Sequence, residues 1–349
     1  MINNYIFVIL PFIVALITTI IATPISLIFI RKLKLIDDPA KHKHPAIIHT
    51  KPIPRGGGIP LFIGIIVASL FFLPFSLTTI ALYIASFISL SIGVVDDKFD
   101  ISPYFRFFIN IITAIIVVTN GVSIAFITNP LGGILHLNTI VNFFGFPILS
   151  IIISVLWIVW IMNMLNWSKG VDGQMPGIVA ISAIIIGILS LRFSDMDTNS
   201  LIATKLSFII AGASIGFLPF NFFPAKIFPG YGATSIYILL AAVSILSGAK
   251  LATAILVMGI PMVDGIFTIG RRIISGQSPF KHDKKHLHHL LLRLGFTQPK
   301  IALFYWAISA ILGTISLMLS SQGKIFAIIM LITVVGGILL FLHKVSNYE

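Results

Sequence analysis

About eleven apolar runs of membrane-spanning length follow one another along this chain, and nothing else in the sequence limits its fold so strongly. They lie at about 5–30, 58–74, 76–95, 104–128, 144–166, 175–192, 201–222, 234–247, 249–269, 300–319 and 325–343. A helix crossing hydrocarbon satisfies its own backbone, which an open loop or sheet edge does not. With 57% of its 349 residues hydrophobic and only 10% charged, the chain reads as an all-α polytopic membrane bundle. One integral membrane domain, 1–349, is expected. The first run has no positive n-region and exceeds a signal-peptide core, so it is expected to stay as a membrane helix. Cysteine is absent, which excludes disulfides and thiolate metal sites.

Charge supplies the topology. The formal net charge is +12, and the basic residues gather in alternate connections. Arg31, Lys32, Lys34, Lys41, Lys43, Lys51 and Arg55 follow the first run; Lys98, Lys169 and Lys226 follow the third, fifth and seventh. Arg271, Arg272, Lys281, Lys284, Lys285, Arg293 and Lys300 follow the ninth, while Arg106 opens the fourth. The opposite side holds only Arg192, Lys205, Lys250 and Lys324. The positive-inside rule then puts the N-terminus outside and the C-terminus and the polar clusters in the cytosol. Such basicity suits anionic lipid or a phosphorylated substrate; no nucleic-acid partner is expected.

Five polar clusters fall on that side. Asp96 and Asp97 end a stretch without charge, Leu77 to Val95, and Asp100 follows one turn later. Adjacent carboxylates at a membrane boundary need a divalent cation, a lysine or a cationic substrate group beside them; Lys98 is the local candidate. In the first connection, Pro52, Pro54 and Gly56 to Gly58 form a turn beside Lys51 and Arg55; it either cradles a phosphate on backbone N–H groups or simply anchors the loop. Asn163 and Asn166 share a helix face before the Gly-Asp-Gly turn at Asp172, a pattern that suits recognition of a base or sugar amide, or a plain helix end. Asn221 and Lys226 stand among aromatics and prolines where the seventh run breaks. Last comes a loop with His282, Asp283, His286, His288 and His289. If helical, it places His282, His286 and His289 on one face as a metal site or a phosphate-binding array, and without cysteine the phosphate role fits better than zinc.

Together and in this order, from about Asp38 to Gly295, the five clusters resemble the polyprenyl-phosphate N-acetylhexosamine-1-phosphate transferases, of the glycosyltransferase family 4 type. His49 with Pro54 and Gly57-Gly58 is similar to that family's first-loop signature, and Asp96-Asp97 to its aspartate pair. Asn163, Asn166 and Asp172 match its nucleotide-binding segment, Asn221 and Lys226 its Phe-Asn and Pro-Ala-Lys elements. His286-Leu287-His288-His289 looks like the His-x-His-His form of the undecaprenyl-phosphate N-acetylglucosamine-1-phosphate branch. Two positions depart: Lys169 and Tyr231 stand where the family usually has aspartates.

The resemblance implies transfer of a sugar 1-phosphate from a UDP-sugar to polyprenyl phosphate, with release of UMP. Asp96 and Asp97 would be catalytic and hold Mg2+, with Mn2+ the alternative. Asn163, Asn166, Asp172, Asn221 and Lys226 would hold the nucleotide sugar; His49, Arg272, His286, His288 and His289 would hold phosphate. A homodimer is entertained. Three other readings stay open: a phospho-N-acetylmuramoyl-pentapeptide transferase, a non-catalytic polyprenyl-phosphate-binding relative, and an anion transporter.

Overall fold

The computed structural model describes residues 2–40, 48–129, 132–143, 145–192, 197–246, 251–281 and 283–346. Lys41, Lys43, Lys250 and His282 lie outside them. In chain order the elements begin with α1 (Ile2–Lys32), a short hairpin β1 (Ile36–Asp37) and β2 (Ile53–Pro54), then α2 (Gly58–Phe72), α3 (Leu77–Phe99) and α4 (Pro103–Thr119). On the far side stand β3 (Phe126–Thr128), β4 (Ile134–His136), α5 (Leu137–Ile140), β5 (Asn142–Phe143) and β6 (Phe146–Pro147). The chain continues with α6 (Ile148–Trp167), α7 (Gln174–Leu191), α8 (Thr198–Asn221), a 3-10 turn at Tyr231–Ala233 leading into α9 (Thr234–Leu246), α10 (Leu251–Val257), α11 (Gly259–Ile274), α12 (Leu287–Arg293), α13 (Gln298–Met318) and α14 (Ser321–Ser346).

Every expected apolar run is helical, but two differ in shape. The fourth was expected to reach residue 128, yet α4 stops at Thr119. There the Asn120 amide bonds back to the Ile116 carbonyl and Gly121 adopts φ +104°, so local side-chain bonding and a left-handed glycine end the helix before the β3–β4 hairpin. The ninth was expected to be one span, 249–269, and is instead two helices, α10 and α11, bent by 86° at Met258. Pro261 accounts for the break: it has no N–H for the Val257 carbonyl, so the α10 ladder cannot run on. Beyond the bend α11 continues to Ile274 and carries Arg271 and Arg272 on its last turn.

Seven described helices (α1, α3, α6, α7, α8, α13 and α14) are long and apolar enough to cross a membrane alone, and up to eight spans result if the bent pair is one. Gly58–Phe72, Pro103–Thr119 and Tyr231–Leu246 are apolar but shorter. The protein is therefore an all-α polytopic membrane protein. Its centre is α9, buried along its whole length, with α3, α6 and α8 packed around it. α1 lies along α8, where Gly212 and Gly216 leave room for its backbone: a Cβ on either would strike a backbone oxygen, of Phe12 or of Leu16. α14, by contrast, leaves Phe326, Ile329, Met330 and Phe341 exposed, as a helix facing lipid does.

One crossing positions the site. The 3-10 turn passes between the start of α2 and the end of α3 with no side chain in the way. A Cβ on Gly58 would overlap the Gly232 carbonyl, and one on Gly93 the Gly232 Cα and N. Beside it the β1–β2 hairpin pairs Ile36 with Pro54 and Asp37 with Ile53, and Arg55 bridges to Phe228.

Candidate active site at the helix ends

A cleft of about 310 Å³ opens where α3, α6 and α11 end and α4 and α12 begin. Its floor is the last turn of α3. Asp96 and Asp97 are not solvated there; they are 1% and 9% exposed. Lys98, the local candidate for neutralising them, instead lies over the Phe99 ring. The cations that meet the pair come from other elements. Arg55, just after β2, places Nε 2.8 Å from Asp97 Oδ1 and Nη2 3.8 Å from Asp96 Oδ2. From α4, Arg106 Nη1 donates to both Asp96 oxygens at 2.9 Å. Burial alone would lower the Arg55 pKa, but the carboxylates of Asp97, Asp96, Asp37 and Asp100 hold it above its ordinary value.

Lys169 approaches from the opposite wall, on the loop after α6. Its Nζ donates to the Gly230 carbonyl at 2.8 Å. Burial and the Arg55 charge lower its pKa, Asp97 and Asp96 oppose them, Arg106 adds to the lowering, and the group settles at about 7. Tyr231, the other departure, is buried between these charges. Its N–H donates to Asp97 Oδ1 at 2.7 Å and its hydroxyl pairs with the Asn110 amide at 3.1 Å. Arg106 and Lys169 lie 5.0 and 5.8 Å from its ring centroid.

Of the two roles left open for the first loop, phosphate cradle or anchor, its glycine N–H groups take the second. Gly56 and Gly57 N–H both donate to the Phe228 carbonyl, at 3.3 and 2.9 Å, and Gly58 N–H donates to Pro229 at 2.9 Å. Those donors are consumed in docking the loop, and their effect is to aim Arg55. His49 does reach the cleft, edge-on to Phe228 and 3.9 Å from Asp37.

On the amide side, Asn163 and Asn166 both line the cleft. Asn163 bonds back to Val159, while Asn166 Oδ1 is buried with no partner among the described residues. Asp172 lines it too, accepting from Ala225 N–H at 2.9 Å; burial pushes its pKa up against that bond and against His49. Two residues expected to touch the nucleotide sugar are not in the lining. Asn221 is a cross-brace, its Oδ1 accepting from Gly173 N–H and its amide donating to the Ile227 carbonyl. Lys226 is exposed on the surface.

Of the three histidines expected on one face, His282 lies outside the described residues; His286, in an extended conformation, precedes α12 and His289 lies within it. His286 is held by a residue the sequence reading passed over. Asp264 on α11 sets Oδ2 2.7 Å from His286 Nδ1 and accepts from Leu287 N–H with Oδ1. A lone aspartate inside an apolar run was the available signal. His286 stacks on His288 with ring centroids 5.6 Å apart, and His288 is 4.3 Å from His289. Burial, with the neighbouring histidines, lowers His288; burial, His286 and Lys284 bring His289 to about 4. Arg272 and Arg271 both hold Asp283, at 3.1 and 2.9 Å. Although burial would raise its pKa, the Lys285 N–H and these two guanidiniums bring Asp283 down to about 2.

Mg2+ needs oxygen ligands in near-octahedral order. Asp97 Oδ2 is buried without a partner among the described residues, and is the one oxygen of the pair open to such a role. The remaining oxygens of the pair are already held by Arg106, Arg55 and the Tyr231 N–H. Among the described residues no three carboxylate or histidine groups converge as a metal site. A pair of carboxylates held by two arginines and a backbone N–H, with Lys169 in the same lining, is not a set suited to a divalent ion.

A helical membrane protein with arginine, lysine, histidine and amide groups converging at one end of its bundle is a receptor for phosphorylated ligands bearing a polar head. Comparison with known proteins makes this specific. Residues 79–248 match glycosyl transferase family 4. The chain is 30% identical to the probable undecaprenyl-phosphate N-acetylglucosaminyl 1-phosphate transferase of Bacillus subtilis, covering 90% of this chain and 85% of that one. It is 32% identical to the undecaprenyl-phosphate alpha-N-acetylglucosaminyl 1-phosphate transferase of Haemophilus influenzae (95% and 90%), and 31% to the decaprenyl-phosphate N-acetylglucosaminephosphotransferase of Mycobacterium tuberculosis (83% and 78%). The chain belongs to glycosyl transferase family 4.

Proposed function

We propose that the protein transfers N-acetylglucosamine 1-phosphate from its UDP derivative to polyprenyl phosphate, giving polyprenyl diphosphate-N-acetylglucosamine and UMP. The observation that carries this reading is the meeting of three cations and a histidine cluster with cleft-lining amides in one cavity, on a chain whose relatives bear that activity in their names. An oxygen of the lipid phosphate forms a bond to the β-phosphorus while the bond from that phosphorus to the bridging oxygen breaks, and UMP leaves with the electron pair. The second pKa of such a phosphate is about 6, so it is largely ionised near neutrality, and positioning carries most of the work. Asp97 Oδ2, the free carboxylate oxygen of the pair, takes any residual proton. Arg55, Arg106 and Lys169 face the diphosphate charge, His286 and His288 hold phosphate from the other wall, and Asn166 and Asp172 face the uridine or the sugar amide.

The same reading counts about eleven spans, taking the bent pair as one and each shorter apolar helix as one. It places the cleft at the cytoplasmic face of the inner membrane with the N-terminus outside, and takes pairing of two copies as its working oligomer. The test is purified protein in detergent with polyprenyl phosphate and a panel of UDP-sugars, following UMP release beside Asp97→Asn. Release that needs lipid, N-acetylglucosamine donor and Asp97 supports the transferase; binding of lipid phosphate with no release from any donor replaces it with a non-catalytic lipid-phosphate receptor.

A further inference from the structure

The cation ring around Asp96 and Asp97 comes from three separate elements. Arg55 arrives from the docked first loop, Arg106 from α4 and Lys169 from the loop after α6. Arg55 and Arg106 already pair with the two carboxylates, and Lys169, held by the Gly230 carbonyl, is a further amine lining the same cleft. We propose that this cleft neutralises the diphosphate of its ligand with side-chain cations alone, Lys169 taking the place of a divalent metal ion.

Several features of the geometry point the same way. An ammonium has three donors, and Lys169 gives one to the Gly230 carbonyl, which leaves two for phosphate oxygens. Its position is built rather than incidental, because Gly230 is fixed by its neighbour: the Tyr231 N–H is bonded to Asp97 and the Tyr231 hydroxyl to Asn110. The Tyr231 ring has Arg106 and Lys169 at 5.0 and 5.8 Å from its centroid, so an aromatic face, where a carboxylate was expected, meets both cations. A divalent ion entering here would have to displace arginine contacts of 2.8 and 2.9 Å and sit beside the ammonium, gaining the single unpartnered oxygen of Asp97. A diphosphate meets no such obstacle. It meets Arg55, Arg106 and Lys169 in the cleft lining, and its own charge favours the protonated form of Lys169.

This inference rests on the transferase reading for the identity of the diphosphate, and the test separates the two. Inorganic pyrophosphate is titrated into the full-length protein in detergent with chelator present, by calorimetry, and Mn2+ binding is followed by its electron spin resonance signal. Pyrophosphate is expected to bind in chelator, to lose about tenfold or more in affinity in Lys169→Met and to recover in Lys169→Arg, while the wild type leaves the Mn2+ signal that of the free ion. The Mn2+ measurement needs no variant, so it stands even where a substitution disturbs folding. Failure of pyrophosphate to bind in chelator, equal affinity in Lys169→Met with its fold intact, or Mn2+ bound one to one and released in Asp97→Asn overturns the proposal. Transfer that stops in chelator and returns with Mg2+ also overturns it, yet keeps the transferase; Lys169-dependent pyrophosphate binding without turnover of any UDP-sugar keeps the proposal and removes the transferase.

Discussion

The two walls of the cleft use carboxylates in opposite ways. On the α3 wall, Asp96 and Asp97 lie side by side and share two arginines, Arg55 from the first loop and Arg106 from α4. On the α11 wall, each carboxylate has partners of its own: Asp264 fixes His286 and the start of α12, and Asp283 gathers Arg271 and Arg272 from the helix before it. The first arrangement stores charge for a ligand, and the second aims side chains at it. A carboxylate in an anion-binding site therefore need not be a metal ligand or a base; it can be what lets several buried cations coexist.

That contrast is broken most directly at Arg106. Replacing it by Met leaves fully buried Asp96 with Arg55 at 3.8 Å as its nearest cation, and breaking such a pair costs about 3 kcal/mol. The expected result is a large drop in melting temperature in detergent and loss of UMP release, with Asp96→Asn in the same background restoring part of the stability but little activity. On the other wall, Asp264→Asn is expected to slow transfer by about tenfold to a hundredfold with a smaller stability change, because it loosens the aim of His286 without stranding a cation. The same loss in His286→Asn, and no further loss in the double variant, is the sign that the two act as one unit.

Acid sharpens the comparison less severely. His289 lies near pKa 4 in the fold against an ordinary value near 6.5, so the unfolded chain binds its proton first. The stability tied to it is whole above about 6.5 and is lost as pH falls from there towards 4. Asp283, held near 2, adds a further loss only below about 4. Melting of the wild type between neutral and mildly acidic pH is expected to decline, and His289→Gln to flatten the first part of that decline. The smallest effect belongs to Lys226→Ala, expected to leave UMP release within about twofold, because an exposed lysine outside the cleft makes little difference.

The helices could be read from sequence because hydropathy is a local property, and each expected run is indeed helical. Their interruptions were less visible: the bend at Met258 comes from one proline inside an otherwise uniform run, and the end of α4 from an Asn-Gly pair. Within the site, polar residues at membrane boundaries were conspicuous, and most of those expected do line the cleft. Partnership was not. Arg55 and Asp97 stand forty-two residues apart and read separately as loop basicity and a metal ligand, and only packing joins them. Asn221 shows the converse, a buried amide in a promising segment that lies outside the cleft lining and bonds Gly173 to Ile227. The glycines of the first loop left free donors and an anchored turn equally open, and only the packing against Phe228 and Pro229 decides for the turn.

The glycine crossing of Gly58, Gly93 and Gly232 bears on how this protein can be altered. Three chain segments touch there backbone to backbone, so the spacing between the aspartate pair and the turn carrying Tyr231 is set by peptide thickness, with no side chain available to trim or lengthen. Redesign for a larger or smaller ligand has no adjustable part at that crossing, and any added carbon would spread the ring of charges as a whole. Variation must enter from the opposite wall, through the extended histidine segment, which makes that loop the natural place for a library of variants and the crossing the place to leave untouched.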